Sequence, residues 1–352
     1  MEQRKKIDIV SLNFEELRAA VAAMGEPKFR ADQIYQWLHV RGASDFSEMT
    51  NISKALREKL NDNFVIFSCA IEKKLVSCYD DTVKYLFRLA DGEFVETVVM
   101  KYKYGWSICV SCQVGCKMRC AFCASTLGGC VRNLRVSEIL GQVYAAGRDL
   151  GVRISHIVMM GMGEPLDNYD NAVKFISMVS DAHGLHISAR NISLSTCGIV
   201  PKIYELADLK SGITLSVSLH APNDEIRSRI MPVNKRWNME ALLAAVRRYI
   251  AETGRRVSFE YTMIRGVNDA PAHARELAAR LRGMLCHVNL IPVNTVRETG
   301  LQATHAPEVQ KFKAALERGG INVTVRRTLG ADINASCGQL RKSAKQTDAN
   351  ES

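Results

Sequence analysis

Three cysteines pose the first chemical question. Cys116, Cys120 and Cys123 stand in a C-x-x-x-C-x-x-C arrangement, and Cys109, Cys112 and Cys130 bring six of the chain's 11 cysteines into one short stretch. Three thiolates at this spacing can converge on one soft metal centre, and the pattern differs from the paired C-x-x-C units of a zinc ribbon. A cubane iron–sulfur cluster held by only three protein thiolates leaves one iron for a non-protein ligand, which is an open catalytic position. On spacing alone a zinc site or plain loop cysteines stay open as readings, and Cys112, Cys116 and Cys120 make a second, alternative ligand set. The thiols are expected to be reduced. The start, Met1-Glu2-Gln3-Arg4-Lys5-Lys6, leads into mixed polar sequence instead of a signal-peptide core, and no apolar run approaches the roughly 18 residues of a membrane span. The expected location is therefore the cytoplasm, where eleven cysteines serve metal binding or chemistry rather than structural disulfides.

The elements that must position these thiols can be read coarsely. A length of 352 residues suggests two domains or one large α/β barrel with an appendage, and 47% apolar with 24% charged residues describes a globular chain, not a disordered one. Residues 1–62 read as a small helical domain: Asn13 can cap a helix from Phe14, and Phe29, Ile34, Trp37 and Leu38 recur at helical spacing after Pro27. Residues 63–101 read as a linking β-hairpin, with strands 84–89 and 94–99 about the turn Ala90-Asp91-Gly92-Glu93. From 102 to 340 apolar strand candidates (about 107–111, then 154–161, 192–196, 213–220, 257–264 and 288–294) alternate with helical segments such as the one Asn238 can cap, whose Met239, Leu242, Leu243, Val246 and Ile250 form a core stripe. About six β/α units are too few to close an eight-stranded barrel, so an open or partial (β/α)6 barrel is expected. Residues 341–352 are polar and read as a disordered tail.

Around the cysteines the match to a known family is extensive. C-x-x-x-C-x-aromatic-C, with Phe122 in the aromatic place, resembles the radical S-adenosylmethionine signature, and Gly161-Met162-Gly163-Glu164-Pro165 resembles that superfamily's amine-binding motif. Cys109-Val110-Ser111, Arg132-Asn133-Leu134, Ser195-Thr196-Cys197-Gly198, Ser218-Leu219-His220-Ala221, 288–294 and Ala335-Ser336-Cys337-Gly338 resemble, in that order, the RlmN-type 23S rRNA adenine-C2 methyltransferases. The resemblance implies a 4Fe–4S cluster on Cys116, Cys120 and Cys123. It implies two S-adenosylmethionine molecules per turnover, held by Gly163, Glu164, Ser195, Ser218, Leu219, His220 and Asn294. One would methylate Cys337; the other, cleaved reductively, would give a radical that takes hydrogen from the S-methyl group. The resulting carbon would add to adenine C2, a position without an acidic proton and so closed to ordinary methyl transfer. Cys109 would then resolve the protein–RNA adduct by attacking the Cys337 sulfur, leaving a transient disulfide. Glu96 matches the family's proton acceptor, and whether Glu96 or Cys109 takes the C2 proton is open at this point.

Charge points to the partner. Lys and Arg number 47 against 37 Asp and Glu, a net +10 that suits a polyanion. Arg247-Arg248, Arg255-Arg256, Arg326-Arg327 and Lys101-Tyr102-Lys103-Tyr104-Gly105-Trp106 mix basic and aromatic groups that can bind phosphate and stack on bases. The helical domain, with Lys28, Arg30, Trp37 and Arg41, is the candidate reader of RNA shape. The expected partners are 23S rRNA, tRNA and a flavodoxin-like electron donor. Two rivals stand beside this reading: a Cfr-type C8 methyltransferase with the same cysteines, and a non-catalytic metal-stabilised RNA-binding module. Cys69, Cys78 and Cys286 are read as small hydrophobes, and Cys112, Cys130 and Cys197 receive no role.

Overall fold

The structure, a computed structural model, describes residues 6–293, 300–333 and 335. Its amino-terminal region is helical: α1 (Phe14–Ala23), α2 (Phe29–His39) and α3 (Lys54–Asn63), with the short parallel strands β1 (Ile7–Asp8) and β2 (Phe64–Val65) closing its base. Asn13 starts α1 by a reciprocal cap. Its side chain accepts from Glu16 N–H at 2.9 Å, and Glu16 accepts from Asn13 N–H at 2.8 Å, satisfying two donors that the helix end leaves over. This layer is seated on the rest of the molecule by the Phe14 ring stacked on His183, a Lys174–Glu16 ion pair of 2.6 Å, and Asp8 accepting from Ser137 Oγ at 2.6 Å.

One ten-stranded sheet organises the remainder of the described residues. Strands β3 (Ala70–Val76), β4 (Val83–Arg88) and β5 (Phe94–Tyr102) are antiparallel, and β5 turns directly into β6 (Gly105–Cys109). A separate ribbon, β7 (Gln113–Gly115) with β8 (Cys130–Asn133), brackets the cysteine loop. From β6 the sheet runs parallel through β9 (Ile154–Met159), β10 (Ile192–Thr196), β11 (Thr214–Ser218), β12 (Val257–Met263), β13 (Cys286–Pro292) and β14 (Val323–Val325). The crossovers are α4 (Val136–Leu150), α5 (Tyr169–Ser180), α6 (Val200–Asp208), α7 (Asp224–Ile230) followed by α8 (Met239–Thr253), α9 (Pro271–Leu281) and α10 (Ala306–Arg318). β3 and β14 form the two edges, so the barrel is open. Buried Leu194, Leu215, Val217, Phe259 and Leu290 on the strands meet Leu242, Val246, Leu277 and Phe312 on the helices, which is why every second residue of these strands is apolar.

Three details depart from the sequence reading. The β4–β5 hairpin, expected as a link, is built into the sheet: an isolated two-stranded ribbon is marginal in water, and pairing with β6 satisfies β5 on its second side. The seventh parallel strand, β14, went unread because three residues are too few to display a period of two. Cys78 is exposed on the polar β3–β4 turn, which corrects its reading as a small hydrophobe, whereas Cys69 and Cys286 are buried. On α8, Asn238 caps as expected by accepting from Ala241 N–H at 2.9 Å, but the residue buried in its last turn is Tyr249, whose hydroxyl donates to Ile213 O at 3.0 Å.

Candidate active site

At the carboxyl ends of the parallel strands lies a cleft of about 320 Å³. Cys109, Cys116, Cys120, Cys123, Gly163, Glu164, Ser195, Ser218 and His220 all line it, although their sequence positions span more than a hundred residues. Leu219 does not: its side chain is in the hydrophobic core, and only its backbone is near, with its N–H donating to Glu260 O at 3.1 Å. Asn294 and Cys337 lie outside the described residues. Ala335, two positions before Cys337, lines the cleft.

The cysteine loop is shaped by its backbone. Cys116 N–H donates to Gly129 O at 2.9 Å, Ala121 N–H to Ile230 O at 2.9 Å, and Thr126 Oγ1 to Cys123 O at 2.9 Å. Arg119 adopts φ 57°, a left-handed turn that re-aims the chain between the first two cysteines. Burial pushes the Cys116 thiol up to about 12 and raises Cys120 as well, so a positive centre is needed to hold these sulfurs as thiolates. Among the described residues no three His, Cys, Asp or Glu side chains converge on a single ion position. A cubane asks for something different, that each thiolate reach its own iron across a shared volume, and the three cysteines line one. The donor set fits a 4Fe–4S cluster. Cys112, the alternative ligand, is fully buried behind this wall, packed near the backbone of Gly163.

Gly163 is where two chain segments touch. Its φ is 105°, and a Cβ there would sit 2.7 Å from Gln113 Cβ and 2.8 Å from Gln113 N, so glycine alone admits the approach. Glu164 follows, buried, with its carboxylate accepting from Cys197 N–H at 2.7 Å and Leu166 N–H at 3.0 Å, while its own N–H donates to Gln113 at 2.9 Å. Burial raises its carboxyl above the ordinary range and the N–H donors counter that. A buried carboxylate held in this way at the edge of a cleft suits an ammonium group.

His220 is held from four directions. Its Nδ1 accepts from Thr262 N–H at 2.8 Å, its N–H donates to Glu260 O at 3.2 Å, its carbonyl accepts from Asn268 Nδ2 at 2.7 Å, and Phe122 meets its ring edge-on at 4.7 Å. This fixes a left-handed φ of 55°, a conformation that a non-glycine residue keeps only when its surroundings impose it. Burial lowers the imidazole to about 3, so it is neutral with its proton on Nε2.

The opposite wall carries Cys109, buried at the end of β6 with Val98 and Met100, against which Tyr102, Leu329 and Ala335 pack. Glu96 lies further along β5, buried and ion-paired at 2.9 Å with the equally buried Lys84 of β4. It is not among the groups lining the cleft. The segment 328–333 is tied to the β3–β4 turn by two carboxylates: Asp332 accepts from Ser77 Oγ at 2.7 Å and Cys78 N–H at 2.8 Å, and Asp80 accepts from Gly330 N–H at 3.0 Å.

Several residues were missed by sequence reasoning. Arg227 of α7, fully buried, donates to Cys197 O at 2.7 Å, Ser218 O at 3.1 Å and Leu219 O at 3.2 Å, fastening the ends of β10 and β11 together. Nothing in its helical sequence marks it. Glu260 lines the cleft and accepts from Asn289 at 2.8 Å; a buried-strand carboxylate between Phe259 and Tyr261 is a signal that could have found it.

A partial β/α barrel with three cysteines and a glycine-bordered carboxylate at its strand ends defines a radical S-adenosylmethionine fold, and the profile of that superfamily matches residues 110–278. The profile of the ribosomal RNA large subunit methyltransferase N-terminal domain matches residues 7–66. A probable dual-specificity RNA methyltransferase RlmN from Lachnoclostridium phytofermentans is 55% identical over 339 residues, covering 96% of this chain and 95% of the relative. The relative of the same description from Lachnospira eligens is 53% identical over 334 residues, with 95% of each chain covered. Among solved structures, a radical SAM methyltransferase from Sphaerobacter thermophilus superposes with a TM-score of 0.91 at 42% identity, covering 95% of this chain and 98% of that one. The chain belongs to the RlmN family of radical S-adenosylmethionine dual-specificity RNA methyltransferases.

Proposed function

We propose that the enzyme methylates C2 of an adenosine in 23S rRNA and of an adenosine in the tRNA anticodon loop, using two S-adenosylmethionine molecules per turnover and Cys337 as the methyl carrier. The observation that carries the reading is the convergence on one cleft of Cys109, the three cluster cysteines, the Gly163–Glu164 corner and Ala335, two residues from Cys337. When bound, the cluster and S-adenosylmethionine supply a radical able to take hydrogen from an S-methyl group. Everything else falls to the chain. Gly163 and Glu164 receive the methionyl ammonium; Ser195, Ser218, the backbone of Leu219, His220 and Asn294 complete the cofactor's seat.

Cys337 presents the methylene carbon to C2, and the new C–C bond makes a protein–RNA adduct whose unpaired electron returns to the one-electron chain that started the reaction. After C2 gives up its proton, the Cys109 thiolate attacks the Cys337 sulfur; the Cys337 S–C bond breaks with its electron pair left on the former methyl carbon, which takes up a proton, and a methylated base and a Cys109–Cys337 disulfide result. External thiol or a reductase returns both to the reduced state. Glu96 and Cys109 are the two proton acceptors to be separated: Cys109 lines the cleft, while Glu96 shares its carboxylate with Lys84. A flavodoxin-like donor supplies the electron, and the cytoplasm is the compartment.

The test is an anaerobic reaction of the reconstituted enzyme with S-adenosylmethionine, reductant and an unmodified 23S rRNA fragment, read by mass after digestion to nucleosides. 2-Methyladenosine is expected. 8-Methyladenosine as the sole product overturns the C2 assignment, and RNA binding without any methylation overturns the catalytic one.

A further inference from the structure

Two stretches that are remote in sequence meet at the mouth of the cleft. The β5–β6 turn carries Tyr102, which lines the cleft and packs on the Cys109 cluster, and Tyr104, whose ring lies parallel to Tyr102 with centroids 5.0 Å apart and planes 7° from parallel. His156 of β9 supports Tyr104 with its ring centroid 4.6 Å away. Tyr104 is nonetheless 62% exposed. Arg326 and Arg327, just after β14, line the same mouth and are exposed, and both guanidinium groups are close enough to act on the Tyr102 phenol. Gly105, with φ 127°, makes the turn possible: a Cβ there would collide with Ser155 Oγ.

We propose that the Tyr102–Tyr104 stack is a landing platform for an unpaired nucleobase of the substrate RNA, adjacent to the adenosine that enters the cleft, with Arg326 and Arg327 engaging the phosphates between the two. The occupant is argued from chemistry. An exposed aromatic face offers stacking to any base and nothing to a paired, already stacked one, while two exposed cations beside it complement a phosphate backbone. The row of rings leads from the surface to Cys109, the path a nucleotide turned out of its stack would share with its neighbour. This deepens the proposed function and rests on it only for the identity of the entering base.

The experiment compares the reconstituted wild-type enzyme with Tyr104→Ala, Tyr104→Phe and Arg326→Gln, measuring Kd for an unmodified RNA stem–loop and for a perfectly paired duplex of equal length at several salt concentrations. S-adenosylmethionine binding is recorded alongside as a control. Tyr104→Ala is expected to weaken stem–loop binding about 5- to 100-fold with the duplex unchanged, and Tyr104→Phe to stay within about two-fold of wild type. Arg326→Gln is expected to lower affinity for both RNAs and reduce the salt slope by about one. Wild-type stem–loop affinity in Tyr104→Ala, or equal losses for stem–loop and duplex, overturns the platform. Because the readout is binding, a wild-type enzyme that binds RNA but leaves it unmethylated defeats the proposed function without deciding the platform, which the Tyr104 pair still tests.

Discussion

The two walls of the cleft are built by different means. On the side proposed for the cofactor, Gly163 packs against Gln113, and Glu164 and His220 are held by backbone N–H groups of Cys197 and Thr262 and by the Gln113 side chain. Their positions follow from the sheet. On the substrate side, Cys109 ends a strand, but the residues facing it come from a carboxy-terminal segment fastened by Asp80 and Asp332 to a turn some 250 positions away. The first wall is built into the sheet and its neighbouring segments. The second is fastened by a few side-chain hydrogen bonds near the surface, which can be released at lower cost, as the proposed movement of Cys337 to and from a base requires.

Variants can break or sharpen this contrast. The largest effect is expected for Cys116→Ala, Cys120→Ala or Cys123→Ala: iron content and the visible absorption of the reconstituted protein fall, and methylation is abolished while the far-ultraviolet circular dichroism is retained. Next comes Asp332→Ala, which frees the segment leading to Cys337. Turnover should drop by up to about 100-fold, as misplaced reacting groups do, with S-adenosylmethionine affinity unchanged, whereas Asp332→Asn should recover part of the rate. Equal losses in turnover and cofactor binding would show that the two walls are not independent.

Glu96→Gln removes the carboxylate partner of a buried ammonium and should lower stability by about 3–5 kcal/mol, read as a shift in the urea midpoint. Cys109→Ala should leave that midpoint nearly in place. If the protein–RNA adduct accumulates in Cys109→Ala and its C2 proton is nevertheless lost, Glu96 is the acceptor; retention of the proton assigns the task to Cys109.

The smallest effect concerns pH. His39 and His220 are both lowered to about 3 by burial. Each depressed imidazole binds its proton more readily in the unfolded chain, so their contribution is present above about pH 6.5 and is lost as pH falls toward 3. Thermal midpoints should therefore decline from pH 7 to pH 4. His39→Gln, remote from the cleft, should make the decline shallower; an unchanged slope would refute the assignment.

How much of this was legible in advance depended on how local the signal was. Cys116, Cys120, Cys123, Gly163 and Glu164 announce themselves because short loops at strand ends need particular residues at fixed spacing. The apolar runs marked six parallel strands for the same reason. Leu219, carried over by motif, proved to turn its side chain into the core, since alternate residues of a strand end face opposite ways. Cys78 looked like core by its type and is exposed, because a polar turn surrounds it. Arg227 and Asp332 had no local signature at all: each works through carbonyls or N–H groups contributed by distant segments.

The sequence by itself determined the chemistry available to the protein, namely thiols grouped for a cluster, a glycine–carboxylate corner, and an open α/β barrel to carry them, since residue type and periodicity are properties of neighbouring positions. Only the tertiary structure decided which of these groups share a cavity, which carboxylate is committed to a buried lysine, and that the β3–β4 turn fastens the carboxy-terminal segment. Those outcomes depend on contacts between segments far apart in the chain, and such contacts are set by packing and burial of the whole fold.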